Sequence, residues 1–268
     1  MTQAELLNKI KMISKNAGKA IMEVYDRDAD LAVSNKEDNS PLTEADLASH
    51  RVIISALKEL TPDIPALSEE SSQISWNERK AWSRYWLVDP LDGTKEFINK
   101  NGEFTVNIAL IDEHRPMLGV VYVPARKILY SGHLDLGAFK EAEGAEQSIK
   151  VRKIQQGSPL KVVASRNHRG EELDGWLDRV INVFPDLELV NMGSSLKICM
   201  VAEGKADIYP RLALTSEWDT AAAQAILEAA GGKLMDVDFK VYRYNLKENI
   251  LNPYFFAIGD GQFNWQDL

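Results

Sequence analysis

Cysteine is nearly absent from this sequence: Cys199 stands alone among 268 residues, which excludes an internal disulfide and fits a reducing compartment. Long apolar runs are missing as well, and none approaches the roughly 20 residues that a membrane-spanning helix needs. The start, Met1-Thr2-Gln3-Ala4-Glu5, lacks the basic residues and apolar core of a secretion signal. A cytoplasmic protein is expected, with peripheral contact at the inner face of the membrane left open. Positive charge is the minority sign, 31 Lys and Arg against 40 Asp and Glu, a net charge of -9. No basic stripe is visible, which argues against a nucleic-acid polymer as partner, because phosphate neutralisation supplies most of that affinity. A small polyanion remains open to an acidic protein where metal ions or local donors reverse the charge. Imidazole is scarce too. His50, His114, His133 and His168 show no metal-ligand spacing and are expected to be structural or exposed.

What is present is an ordinary globular pattern without internal repeats, low-complexity tracts or an obvious linker. Over residues 4–26, Leu6, Ile10, Ile13, Ala17, Ala20, Ile21 and Val24 recur three or four apart, which predicts a helix. Asp38-Asn39-Ser40-Pro41 breaks the chain, and Thr43 is a plausible N-cap for a second helix ending at Thr61-Pro62. The period then changes. Short strands are predicted at 65–67 and 85–88, followed by an antiparallel meander over 105–111, 117–122 and 127–131. The second half alternates strand and helix: strand 160–164, helix 171–180, strand 187–190, helix 195–203, strand 207–209. An Ala-rich helix over 218–230 closes at Gly231-Gly232. This order predicts a layered α+β or α/β sandwich of alternating helix and sheet layers, with a seam around 135–158. The expected halves are 1–135, carrying most candidate ligands, and 136–268, completing the site.

Three acidic clusters carry the candidate chemistry. Glu69-Glu70 follows the strand at 65–67, Asp89-Pro90-Leu91-Asp92-Gly93-Thr94 ends the strand at 85–88, and Glu217-Trp218-Asp219-Thr220 opens the Ala-rich helix. Singly, each has a bland reading: a solvated loop, a turn, and a helix cap. Together they supply hard oxygen ligands without imidazole or thiolate, a set that suits magnesium rather than zinc or copper. Converging carboxylates repel one another and lose hydration, so cations are the natural way to hold them. Gly93 lets the backbone approach a ligand closely, its amide and that of Thr94 form a phosphate cradle, and the Thr94 hydroxyl can orient a water. Trp76, Trp82 and Trp86 read as packing residues, and Arg166-Asn167-His168-Arg169 as a solvated turn.

These clusters, with Trp218-Asp219-Thr220-Ala221-Ala222 and Ala229-Ala230-Gly231-Gly232, resemble the signatures of the inositol monophosphatase superfamily in order and approximate spacing. The resemblance spans nearly the whole chain and implies the sugar-phosphatase fold. Within the superfamily, Tyr85-Trp86-Leu87-Val88 running through Asp89-Pro90-Leu91-Asp92-Gly93-Thr94 to Lys95-Glu96-Phe97-Ile98 is similar to the bacterial CysQ-type 3'(2'),5'-bisphosphate nucleotidases. So are Asn39-Ser40-Pro41, the stretch from Asn101-Gly102-Glu103-Phe104 through Thr105-Val106-Asn107-Ile108-Ala109-Leu110, Gly193-Ser194-Ser195-Leu196-Lys197 and Val201-Ala202-Glu203-Gly204. Ser68 stands where the superfamily often has Gly, at a position that need not coordinate metal.

The resemblance implies a magnesium-dependent phosphomonoesterase with two or three ions per site. Glu69, Asp89, Asp92, Asp219 and the Leu91 carbonyl would be ligands, Glu69, Asp46 and Thr94 the catalytic group, and Gly93 and Thr94 contacts to the scissile phosphate. An in-line attack is implied, with one ion near Glu69 at the attacking water and a second near Asp89, Asp92 and Asp219 at the leaving oxygen. The implied substrate is adenosine 3',5'-bisphosphate, giving AMP and phosphate, with 3'-phosphoadenylyl sulfate as a second one; lithium sensitivity and a place in sulfur metabolism follow. Gly193, Ser194 and Ser195 at a helix start, with Lys197 and Arg211, are candidates for the second phosphate. Inositol monophosphatase or fructose-bisphosphatase activity on the same scaffold is the enzymatic alternative, separated by Lys95-Glu96-Phe97 where inositol-type relatives tend toward Thr-Asn-Phe. A metal-binding regulatory protein is the non-enzymatic one.

Overall fold

A computed structural model describes residues 1–27, 33–35, 41–71, 74–155, 157–164 and 170–267. Asp38-Asn39-Ser40 and the expected turn at Arg166-Asn167-His168-Arg169 lie outside them. The chain opens with α1 (Gln3–Tyr25), a short ribbon of β1 (Val33–Asn35) and β2 (Pro41–Thr43), and α2 (Glu44–Leu60). Both long helices start on a capping box, Thr2 with Glu5 and Thr43 with Asp46, so their free N–H groups are satisfied locally. β3 (Ala66–Ser68), α3 (Trp76–Arg79), β4 (Arg84–Asp92), α4 (Thr94–Ile98) and the meander β5 (Thr105–Asp112), β6 (Arg115–Val123) and β7 (Ile128–His133) follow. Two strands absent from the sequence reading, β8 (Gly137–Ala142) and β9 (Ala145–Ile149), extend the same sheet to the order β3-β4-β5-β6-β7-β8-β9.

The second sheet is β11-β10-β12-β14-β13, built from β10 (Leu160–Ala164), α5 (Glu171–Val183), β11 (Leu187–Asn191), α6 (Leu196–Ala202), β12 (Ile208–Arg211), α7 (Glu217–Ala229), β13 (Lys233–Asp236) and β14 (Phe255–Ile258). β10 pairs in parallel with β11 and β12, and β14 pairs antiparallel with β12 and β13. Three apolar clusters define the layers. One joins α1 and α2 to the first sheet through residues such as Ile10, Ile53, Trp86 and Ile108. A second joins the other face of that sheet to α6, α7 and the second sheet, through Leu87, Val121, Ile226 and Ala257. The third packs Trp176 and Val180 of α5 on Phe256 and Ile258. The result is helix, sheet, helix, sheet, helix, the sandwich expected from the sequence. Because both faces of β4 are covered, Tyr85-Trp86-Leu87-Val88 is a continuous apolar run rather than an alternation. Among the described residues, no helix is long and apolar enough to cross a membrane.

One contact sets where α7 lies. Gly119 and Gly132 face each other across β6 and β7. A Cβ on Gly119 would collide with the Ala222 carbonyl, and one on Gly132 would come within 2.7 Å of Ile226 Cα. This notch in the sheet, filled by Ala222, Ala225 and Ala229, lets the helix axis approach closely. Gly119→Ala is therefore expected to cost about 1–3 kcal/mol by overpacking, read as a lower urea midpoint at constant slope; an unchanged midpoint would show that the helix has room to spare.

Candidate active site

The site begins with a strand irregularity. Along a regular strand, residues three apart face opposite sides, so Asp89 and Asp92 would diverge. Asp89 pairs with Asn107 but Asp92 pairs with Thr105, so β4 spends three steps where β5 spends two. That single extra residue, at Pro90-Leu91, returns Asp92 to the side of Asp89. Proline is tolerated there because a bulge frees it from the ladder. The Leu91 side chain is buried in the α1–α2 cluster, so only its backbone is left to face the site, and its N–H donates to Asp89 Oδ1 at 3.0 Å.

Asp92 is held from the second half of the chain and from β5. Its Oδ2 accepts from Ser195 N at 2.6 Å and from Thr105 Oγ1 at 3.4 Å, while Ser195 Oγ lies 2.9 Å from both Thr105 Oγ1 and Asn107 Oδ1. The polar clasp of Thr105, Asn107 and Ser195 was not singled out from the sequence. Its signal was available: Thr105 and Asn107 alternate with Val106 and Ile108, marking one face of β5 as polar inside the core. After Asp92 the chain turns at Gly93 (φ 89°), a left-handed conformation that glycine adopts without strain, and Gly93 caps α4 so that Thr94 begins the helix.

Asp46 is the third residue of α2. Its Oδ2 accepts from Thr43 N at 2.8 Å and Thr43 Oγ1 at 2.5 Å, which leaves Oδ1 facing the Thr94 hydroxyl at 3.4 Å. The helix itself is tied to the bulge by Ser49 Oγ donating to Pro90 O at 2.7 Å, and to β3 by His50 Nδ1 and Ser68 Oγ at 2.9 Å. The Ser68 hydroxyl thus has a structural use. Glu69 lies in the single 3-10 turn that follows, against Asp89. Asp219 occupies the third position of α7, where its Oδ2 caps Ser216 N at 2.8 Å.

Burial, then the charges of Glu69, Asp92 and Asp219, push the Asp89 carboxyl well above its usual range. Burial and the charges of Asp92 and Glu69 do the same to Asp219. Asp92 is raised less, since Lys197 and the Ser195 N–H counter its burial. Four carboxylates thus share one field, Asp89 buried and Glu69, Asp92 and Asp219 half-buried; among the described residues no three acidic side chains stand close enough to form a ready-made metal group, but the donor set is oxygen throughout, which fits a hard divalent cation. Next to it opens a cavity lined by Gly93, Glu96, Gly193, Lys197, Tyr209 and Arg211 among others. Burial holds the Lys197 ammonium down to about 8, and its Nζ donates to Ser194 O at 2.7 Å. Arg211 Nε is buried without a hydrogen-bond partner.

The structure thus brings together Asp46, Glu69, Asp89, Asp92, Gly93, Thr94 and Asp219. It modifies the expectation for the start of α6. Gly193, Ser194 and Ser195 line the cavity, but Gly193 N donates to Glu103 Oε2 at 2.8 Å and Ser195 N to Asp92, so these two amides are already engaged. Glu96, Asn101 and Glu103, which also line the cavity, were not foreseen as part of it. His50, His114 and His133 are structural, the latter two bound to Tyr244 O and Asp135 N.

Comparison with known proteins places this geometry. Residues 2–255 match the model of the inositol monophosphatase family. The chain is 48% identical over 250 residues to the 3'(2'),5'-bisphosphate nucleotidase CysQ of Salmonella typhimurium, covering 93% of this chain and 98% of that protein. It is 37% identical over 263 residues to the protein of the same name from Haemophilus influenzae, covering 98% and 96%. The crystal structure of CysQ from Bacteroides thetaiotaomicron superposes with a TM-score of 0.83 at 40% identity, covering 95% of this chain and 97% of that one.

The carboxylate cluster makes a prediction that needs no substrate. In EDTA, Asp89→Asn removes one of four mutually repelling carboxylates and is expected to stabilise the fold, read as a higher melting temperature. Magnesium should raise the melting temperature of the wild type and do so less for the variant. A variant less stable than wild type in EDTA would show that the carboxylates do not strain the free protein.

Proposed function

The chain belongs to the inositol monophosphatase family, and from that premise we infer that it is a 3'(2'),5'-bisphosphate nucleotidase. Near-complete coverage at 48% identity supports this activity. The observation that carries the site assignment is the bulge that turns Asp89 and Asp92 to one side, toward Glu69 and Asp219.

Members of the family are metal-dependent, and for this chain the proposed cofactor is Mg2+, two or three ions held by Glu69, Asp89, Asp92, Asp219 and the Leu91 carbonyl. When bound, such ions neutralise phosphoryl charge and lower the pKa of nearby water. The N-terminal half, 1–135, supplies Glu69, Asp89, Asp92 and the Thr94–Asp46 pair; the C-terminal half, 136–268, adds Asp219 and the wall bearing Lys197 and Arg211. Gly93 and Thr94 amides cradle the scissile phosphate. The Thr43 cap fixes the Asp46 rotamer, so Oδ1 accepts from Thr94 and the hydroxyl oxygen is turned toward the attacking water. The water passes its proton toward this pair as its oxygen bonds to phosphorus, the ester P–O bond breaks in line, and the leaving ribose oxygen takes a proton from solvent.

The proposed substrate is adenosine 3',5'-bisphosphate, cleaved to AMP and phosphate, with 3'-phosphoadenylyl sulfate as a second one. Lys197 and Arg211 are the proposed partners of the second phosphate: one is a buried ammonium, the other carries an unsatisfied buried N–H. The single buried cysteine suits a reducing compartment, and a cytoplasmic location is part of the same proposal.

Phosphate release from adenosine 3',5'-bisphosphate, inositol 1-phosphate and fructose 1,6-bisphosphate, with magnesium and then EDTA, tests the reading. Magnesium-dependent preference for the nucleotide is expected, and preference for inositol or sugar phosphate would overturn the substrate while keeping the site. Asp92→Asn is expected to lower kcat roughly 100-fold or more, as when a transition-state contact is removed. Arg211→Ala should raise KM for the bisphosphate by about 10- to 100-fold, the worth of a hydrogen bond to a charged group, and leave adenosine 3'-monophosphate little affected. Equal effects on both nucleotides would remove Arg211 from the second phosphate.

A further inference from the structure

Three of the four clustered carboxylates belong to one short stretch of chain: Glu69 follows β3, Asp89 and Asp92 end β4, and those two strands are paired. Asp219 comes from the other half of the molecule. The glycine notch fixes how closely α7 approaches the first sheet along its middle, but leaves its first turn, where Asp219 sits, to be placed by something else.

That first turn is wrapped by the segment 244–252. Glu217 N donates to Ile250 O at 3.0 Å, and Asn252 N donates to Thr215 O at 2.7 Å. Asn252 Nδ2 reaches Ser216 O at 2.7 Å and Thr220 Oγ1 at 3.1 Å. Within the wrap, both carboxylate oxygens of Glu217 accept from Asn245 N, at 3.1 and 3.0 Å. The Asn245 side chain turns the other way and grips Arg79. Its Oδ1 accepts from Arg79 Nη1 at 2.6 Å, and its Nδ2 donates to Arg79 O at 2.6 Å. Arg79 donates further to the carbonyls of Lys247, at 3.2 Å, and Glu248. Arg79, Asn245 and Glu217 are 4%, 2% and 2% exposed, so these bonds are shielded from water.

Arg79 ends α3, in the connection between β3 and β4 that also carries Glu69. The chain of bonds from Arg79 through Asn245 to Glu217 therefore runs from the Glu69 segment to a residue two positions before Asp219. We propose that Arg79, Asn245 and Glu217 are positioning residues that set Asp219 opposite Glu69 and Asp89 and so hold the site in its metal-binding geometry. This rests on the reading of Asp219 as a metal ligand. Partners that orient ligands without touching the metal commonly tune its affinity, and Asn245 sits at φ 53°, a left-handed conformation that asparagine accepts more readily than most side chains.

The test uses magnesium chloride alone and then substrate, on wild type, Arg79→Lys, Asn245→Ala and Glu217→Gln. The magnesium concentration for half-maximal turnover is expected to rise roughly 10-fold or more in Arg79→Lys and Asn245→Ala, with kcat at saturating magnesium much less affected. Without substrate, the magnesium-induced rise in melting temperature should need correspondingly more metal. Glu217→Gln, whose amide oxygen still accepts from Asn245 N, should lie nearer wild type. Asn245→Ala removes no charge and keeps the comparison available where Arg79→Lys does not fold. Lower melting temperatures with an unchanged magnesium requirement would make the network merely structural and sink the proposal. Failure of magnesium to shift the wild type would instead remove the premise that Asp219 is a ligand.

Discussion

The site answers one electrostatic demand: four carboxylates, one buried and three half-buried, must be kept in one field. Left to themselves they would separate or take up protons, because burial and like charge both disfavour the ionised forms. The scaffold removes that freedom. A bulge aims Asp89 and Asp92, a clasp of Ser195, Thr105 and Asn107 fixes Asp92, and α2 and α7 present Asp46 and Asp219 from their first turns. The rigidity resides in the protein, and only the charge is left for cations to balance.

The two helix-borne aspartates resolve a choice that the sequence left open. Asp46 and Asp219 each had an ordinary explanation as a first-turn cap and a chemical one as part of a site. Both explanations hold at once, because a carboxylate has two oxygens. In each case Oδ2 caps the helix, and for Asp46 the remaining oxygen meets Thr94. The cap is what makes the second oxygen's direction reliable.

Much of the layer order and the acidic motifs could be read directly, since long helical periods, buried apolar strands and turn residues are local signals. What escaped was non-local. The hairpin of β8 and β9 is short and largely polar, with Glu141 and Glu146 paired to Lys15 and Lys11 of α1, so its hydrophobic pattern is weak. β13 and β14 enclose the segment that wraps α7, and nothing in their spacing announces the pairing. The start of α6 is a candidate for the second phosphate from its place at a helix N-terminus; Glu103 and Asp92, about 90 residues and more away in sequence, occupy two of its amides.

The bulge at Pro90-Leu91 also decides which changes this protein can survive over generations. Its side chains can be exchanged one at a time, each with a graded effect. The number of residues between Asp89 and Asp92 cannot. Losing one would restore an even ladder, leaving Asp89 and Asp92 on one side but removing the bulge that admits Pro90 and frees the Leu91 backbone; gaining one beside an unchanged bulge would send Asp92 to the opposite side of the sheet. Loops elsewhere on the molecule are free to lengthen or shrink, but this one is counted, and lineages carrying the site should drift in composition here while holding its length.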